Sequence, residues 1–128
     1  MPDLHVEEVG FYEWIELDDR GLSKRGKPFP AGVIPPNIEQ FEIYLRLSGK
    51  PGSYWLTVDV ESYTEHPEVK LSFDSFHVVI RPDSYCHLTI PVPLQSLPMG
   101  KYRFVLKAAD QRLARLTFTV GYASPLPN

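Results

Sequence analysis

Imidazole nitrogen and thiolate sulfur are ligands that zinc favours, so two histidines and a cysteine are weighed first. His77 and His87 flank the turn signal Arg81-Pro82-Asp83-Ser84. Both fall on the polar phase of an alternating run, and some hairpin registers would set them side by side. A small metal-dependent enzyme would start from that pair. Zinc needs three or four converging ligands, however, and Cys86 shares the phase of Leu88 and Ile90, which points it away from His87. Two surface histidines are the plainer reading; His5 and His66 stand at no ligand spacing from a partner. We expect no metal and no cofactor. Nucleophilic chemistry has less support still. No serine lies in a Gly-x-Ser-x-Gly turn, and a lone Cys86 in an apolar phase reads as a small core residue. Asp18, Asp19, Glu61, Glu65 and Glu68 form an acidic rim in which no spacing sets two carboxylates across a substrate. Gly21 and Gly26 enclose Leu-Ser-Lys-Arg and are followed by a lysine and prolines, not by the helix that a phosphate cradle requires. The chain therefore reads as a non-enzymatic one that works by binding.

Three groups of residues suit binding. Tyr44 and Trp55 take the outward faces of one hairpin, formed by the strands on either side of Gly49-Lys50-Pro51-Gly52, with Arg46 near Tyr44. Aromatics next to an arginine are the material of interface hot spots, and equally what a covering loop buries. Arg103, Lys107 and Arg115 share the outer phase of the last hairpin. With that hairpin centred on Gln111, Lys107 and Arg115 face each other; they offer an electrostatic contact or simply block edge-to-edge association. Finally, Phe29 stands between Pro28 and Pro30, just after Lys24-Arg25-Gly26-Lys27, as a stiff apolar tip that could dock in a partner's groove.

The elements that must carry these residues are strands. Phe41, Ile43, Leu45 and Leu47 alternate with polar neighbours, Gly49-Lys50-Pro51-Gly52 turns the chain, and Tyr54, Leu56, Val58 and Val60 continue the two-residue period. Weaker runs follow at Val69–Phe73 and Phe76–Ile80, then Cys86–Val92, and a last hairpin pairs Tyr102–Ala108 with Ala114–Val120. Ala108–Leu116 also fits helical spacing, but Thr117-Phe118-Thr119-Val120 keeps the strand period. At the start, residues 4–17 read as one bent or bulged strand or two short ones. Asp18–Asn37, rich in glycine and proline, reads as a long loop, and residues 122–128 as a flexible tail. The count is seven to nine strands in a single domain, an all-β, two-sheet antiparallel sandwich.

Composition agrees. A chain of 128 residues with 13 prolines leaves little room for long helices. One cysteine excludes an internal disulfide, and neither a leader pattern nor a membrane-length apolar run is present, so we expect a cytoplasmic protein with no membrane partner. A net charge of −3 argues against nucleic acid, although Lys101, Arg103, Lys107, Arg112 and Arg115 near the end meet Asp110 alone.

The phrase Pro51-Gly52-Ser53-Tyr54-Trp55-Leu56 returns as Pro98-Met99-Gly100-Lys101-Tyr102-Arg103-Phe104. Together with Leu97, the second copy resembles the strand entry of fibronectin-type and other immunoglobulin-like sandwiches, where a tyrosine just inside the strand bonds back to the preceding corner. It is also similar to small bacterial β-sandwich proteins whose last hairpin opens Gly-x-Tyr-x-Phe. The resemblance implies an immunoglobulin-like fold and is silent on activity. The expected function is a protein-binding or self-associating module anchored by Trp55, Tyr44, Arg46 and Phe29, with Arg103, Lys107 and Arg115 as an electrostatic contact. A carbohydrate-binding module with a Tyr44 and Trp55 platform is the alternative, and the His77 and His87 enzyme a second one.

Overall fold

The computed structural model describes residues 3–62 and 69–122. The strands, in chain order, are β1 (Leu4–Tyr12), β2 (Ile15–Asp18), β3 (Gly21–Arg25), β4 (Val33–Ile34), β5 (Gln40–Gly49), β6 (Gly52–Ser62), β7 (Lys70–Ser72), β8 (Phe76–Ile80), β9 (Cys86–Pro93), β10 (Gly100–Ala108) and β11 (Gln111–Val120), with a 3-10 turn at Leu94–Ser96. β1, β5 and β9 make a three-stranded sheet in the order β1-β5-β9. The larger sheet runs β4-β11-β10-β6, with β7 and β8 both paired to the far side of β6. All pairings are antiparallel except the short β4–β11 contact, which is parallel. The architecture is an immunoglobulin-like sandwich, the two-sheet all-β fold that the alternation implies.

The core forms where the inward phases of the two sheets meet. Phe41, Ile43, Leu45 and Leu47 of β5 and Leu56, Val58 and Val60 of β6 are essentially inaccessible. At one level the sheets are joined by rings. Phe11 and Phe41 from the smaller sheet meet Phe118 from the larger, with centroids 6.1 Å and 5.2 Å from the Phe118 ring, and Tyr102 stacks on Phe118 at 5.5 Å. Such offset and edge contacts add to the transfer energy of the buried rings.

The turns account for the sharing of strands between sheets. Gly52 and Gly100 have φ of 152° and 155°, a region that a β-carbon resists. Two residues after each glycine a tyrosine hydroxyl bonds back four residues, Tyr54 to the Lys50 carbonyl at 2.5 Å and Tyr102 to the Pro98 carbonyl. Both corners stand where the chain leaves the smaller sheet for the larger, from β5 to β6 and from β9 to β10. The reading of β5 and β6 as one hairpin is therefore corrected. The Lys50 amide bonds to the Asp3 carbonyl at 2.9 Å, which holds the turn against β1, and β6 lies across the core from β5. A period of two looks the same whether the partner is beside a strand or opposite it, so periodicity alone does not separate the cases.

Two further differences have local causes. The segment 18–37 is more than a loop: it closes the β2–β3 hairpin and supplies β4, and Phe29 is anchored by a 2.8 Å bond from its amide to the Phe11 carbonyl. Among the described residues the strand total is eleven, β3 and β4 being the two beyond the expected upper count of nine, while β7 and β8 are separate strands as expected. The last hairpin turns at Ala109-Asp110, with Ala109 at φ 52°, so its centre falls between those two residues and not on Gln111. A bulge after Leu106 absorbs the offset, and the inward phase survives because most of the register moves by two. Residues 123–128, most of the expected tail, lie outside the described residues.

Candidate binding surface

The outer face of the larger sheet carries Trp55. It is 64% exposed, on the phase of β6 opposite Leu56 and Val58, and its cross-strand neighbour on β8 is His77, with ring centroids 5.2 Å apart. Val79, 48% exposed, follows on the same face opposite Ser53. Beside Trp55 the β6–β10 pairing stops at Leu56 and Ala108, because the hairpin tip turns away there. An open groove of about 740 Å³ results, lined by Leu4, Ser53, Tyr54, Trp55, the Ala108–Gln111 turn and Leu113. An exposed tryptophan beside a partly apolar groove is a surface that a partner can desolvate.

Tyr44 is placed quite differently. It is on the outer face of the smaller sheet, on another side of the molecule from Trp55, and it is 3% exposed. The β2–β3 hairpin lies over it. Ile15, at the start of β2, donates its amide to the Glu42 carboxylate, and Gly21, at the start of β3, presses on His87 so closely that a β-carbon there would sit 2.5 Å from the ring. Under this cover the Tyr44 hydroxyl is 2.8 Å from His87 Nδ1, and the two rings lie nearly parallel, 15° apart. Burial, then the nearby Glu8 carboxylate, pushes the Tyr44 phenol above its ordinary range, and Arg46 partly offsets this. Of the two readings of the outer aromatics, the covering one holds for Tyr44 and the exposed one for Trp55.

Arg46 joins the Tyr44 side. It faces Glu8 and His87 across the strands and lays its guanidinium 4.7 Å from the Tyr85 ring centroid. Its buried Nε takes no hydrogen bond among the described residues. Phe29 is 7% exposed and part of the core, so it is no docking tip. The prolines that suggested a stiff excursion hold it inward instead.

The basic hairpin residues do share one face, but not as a patch of one sign. Arg103 lies opposite Glu61 of β6, 3.8 Å from its carboxylate, and Arg115 lies opposite Val105, whose other neighbour is Asp59. Lys107 faces Arg112, not Arg115, because of the bulge. Interleaving with β6 carboxylates weakens any attraction for phosphate. Only the long-range pairing of β6 with β10 brings those carboxylates there, and no local signal announces it.

His77 and His87 are separated as well, one on β8 of the larger sheet and one on β9 of the smaller, so no hairpin register pairs them. Among the described residues no group of three or more His, Cys, Asp or Glu is placed to hold a metal ion. Cys86 packs half-buried against the core, and burial pushes its thiol up, away from the reactive thiolate. Among the described residues no helix is long and apolar enough to cross a membrane.

No family model and no curated protein sequence matches this chain. Its fold has counterparts among solved structures. An immunoglobulin-like protein from Pseudomonas aeruginosa matches with a TM-score of 0.54 at 18% identity, covering 93% of this chain and 97% of that one. A β-glucosidase from Listeria innocua, in complex with glucose, matches with a TM-score of 0.60 at 10% identity over 93% of this chain. A β-glucosidase from Kluyveromyces marxianus matches at 0.54 and 12% identity over 90%. This chain spans 16% and 14% of the length of those two enzymes. At such identities the likeness is one of fold, that of an immunoglobulin-like β-sandwich.

Proposed function

We propose that the chain is a protein-binding module, acting through the outer face of the larger sheet around Trp55. The observation that carries this reading is the 64% exposure of a tryptophan fixed on a rigid strand, flanked by His77 and Val79 and bordered by an open groove. Tryptophan offers much contact area at little cost in side-chain entropy, and truncating such anchors commonly removes most of the affinity. Arg103 and Lys107 lie on the same face and would contribute at the rim, where charge steers association more than it stabilises the complex. The expected module is non-enzymatic, takes no cofactor, and works in the cytoplasm. Trp55→Ala is expected to keep the far-ultraviolet circular dichroism and the melting temperature of the parent while losing partners recovered by the parent in parallel affinity captures. Unfolding of Trp55→Ala would show that the tryptophan holds the fold instead, and unchanged capture would remove it from the interface.

A second reading is a carbohydrate-binding module, favoured by the same exposed ring and by the likeness to a portion of β-glucosidases. The platform is weaker than expected, since Tyr44 is buried on the other sheet and Trp55 has only His77 beside it. Laminaribiose and glucose are suitable probes. Tryptophan fluorescence of the parent that shifts on adding either sugar, and does not in Trp55→Ala, would favour this reading; no shift removes it.

A further inference from the structure

The edges of the two sheets are guarded unequally. β1 carries Glu7 and Glu8 and a bulge between Val6 and Glu8; β9 carries Pro91 and Pro93; β4 is two residues long and runs into Pro35 and Pro36; β7 is three residues long and begins with Lys70. Charges, prolines, bulges and brevity are the devices that keep strand edges from pairing with other chains. β8, Phe-His-Val-Val-Ile, carries no carboxylate, lysine or arginine, no proline and no bulge within its five residues; its guards, Arg81 and Pro82, lie beyond its end. It pairs with β6 on one side, and among the described residues no strand pairs with its other side, while Val79 is 48% exposed.

From this we infer that β8 is a homodimer edge: a second copy of the chain pairs with it antiparallel, about a two-fold axis at Val78. This rests on the binding reading above and names its partner. The register is set by two requirements. Inward phases must meet inward phases, and the five residues overlap completely when Phe76 faces the partner's Ile80, His77 its Val79, and Val78 its Val78. Charge supports that register. Asp74 precedes the strand and Arg81 follows it, both are exposed, and neither has an ion-pair partner among the described residues. The antiparallel two-fold places Arg81 of one copy opposite Ser75 of the other, beside Asp74, at both ends of the seam. A parallel arrangement would bring Arg81 near Arg81. On the outer face, the Trp55–His77 pair of one copy would continue across the seam into Val79 of the other, merging two small apolar patches into one. A five-residue seam is short, so the dimer is weak and concentration-dependent.

Sedimentation equilibrium of the full chain over a wide concentration range tests this. The parent is expected to show a reversible shift from one to two chain masses. Val79→Lys, on an already exposed site, and Arg81→Asp are each expected to weaken dimerisation by about tenfold or more, because each change is felt twice in a two-fold dimer and a cation or like charges at a seam oppose pairing. The double exchange Asp74→Arg with Arg81→Asp should restore it. Circular dichroism of each variant reports the fold. A parent that stays monomeric at the highest concentration overturns the inference, and if captures still depend on Trp55 the binding reading stands without it. A dimer that Val79→Lys and Arg81→Asp leave intact overturns the β8 seam, and a double exchange that fails to recover overturns the register.

Discussion

Tyr54 and Tyr102 perform one task in two environments, so phenylalanine in their place isolates the hydroxyl bond. The Tyr102 bond is part-buried and the Tyr54 bond exposed. Tyr102→Phe leaves the Pro98 carbonyl without its donor and is expected to cost about 1–2 kcal/mol, while Tyr54→Phe, whose carbonyl is open to water, should cost about 0.5 kcal/mol or less. Urea unfolding of the two variants checks the order, and equal losses would contradict it. The Tyr102 corner was legible from sequence because a corner needs its glycine and its aromatic at fixed local spacing; Tyr54 repeats that spacing, but its turn read equally well as that of a hairpin. Trp55 and Tyr44 were not equally legible. Both occupy outward phases, and which one is covered is decided by a hairpin that starts some thirty residues before Tyr44 in the chain.

At the scale of elements, that hairpin is the largest departure from expectation. The stretch from Asp18 onward has no periodicity because β3 lies on the outside of the smaller sheet and needs only a narrow contact, made by Gly21 against His87. Gly21 has φ 113°, where a side chain is strained even in open space, and here the space is filled by the imidazole. Gly21→Val is therefore expected to lift the arm, at a cost of about 1–2 kcal/mol from the backbone strain alone. With water readmitted, the Tyr44 phenol should titrate closer to its ordinary value of 10.0, since burial is the main cause of its raised pKa. The sign for stability follows. A phenol with a raised pKa in the folded chain adds stability below the unfolded value and loses it as pH rises past that value. The parent should thus weaken from about pH 10 upward, and Gly21→Val should show a shallower alkaline decline. Spectrophotometric titration together with melting against pH measures both, and an unchanged Tyr44 titration in Gly21→Val would mean that the arm does not cover the ring. The same scale explains the basic residues: their outer phase was readable, while their carboxylate neighbours belong to β6, more than forty residues earlier.

At the scale of the whole molecule, cohesion rests on rings contributed by both sheets. Phe118 touches Phe11 and Phe41 from one side and Tyr102 beside it. Phe118→Ala would leave a cavity at that junction and is expected to cost about 3–5 kcal/mol, a large share of the 5–15 kcal/mol that holds an ordinary domain folded. The urea midpoint should fall while its slope stays constant. The identity of the core and the two-sheet architecture could be read from alternation, because inward phases are apolar whichever strands become neighbours. Neighbourhood itself, including the assignment of β5 and β6 to different sheets, depends on tertiary contacts such as Lys50 with Asp3.

The two tyrosine corners have a mechanical consequence. β6 and β10 are antiparallel neighbours, so their starting ends, where Gly52 and Gly100 sit, lie at opposite poles of the larger sheet. Each pole has a passage between sheets tied by a phenol, which opposes fraying more at the part-buried Tyr102 corner than at the exposed Tyr54 one. Breathing is left to the flanks, at the short β4 contact and along β7 and β8, and amide hydrogen exchange there should outpace exchange near both corners. The flank that yields most readily is then the one whose backbone is already open to another strand.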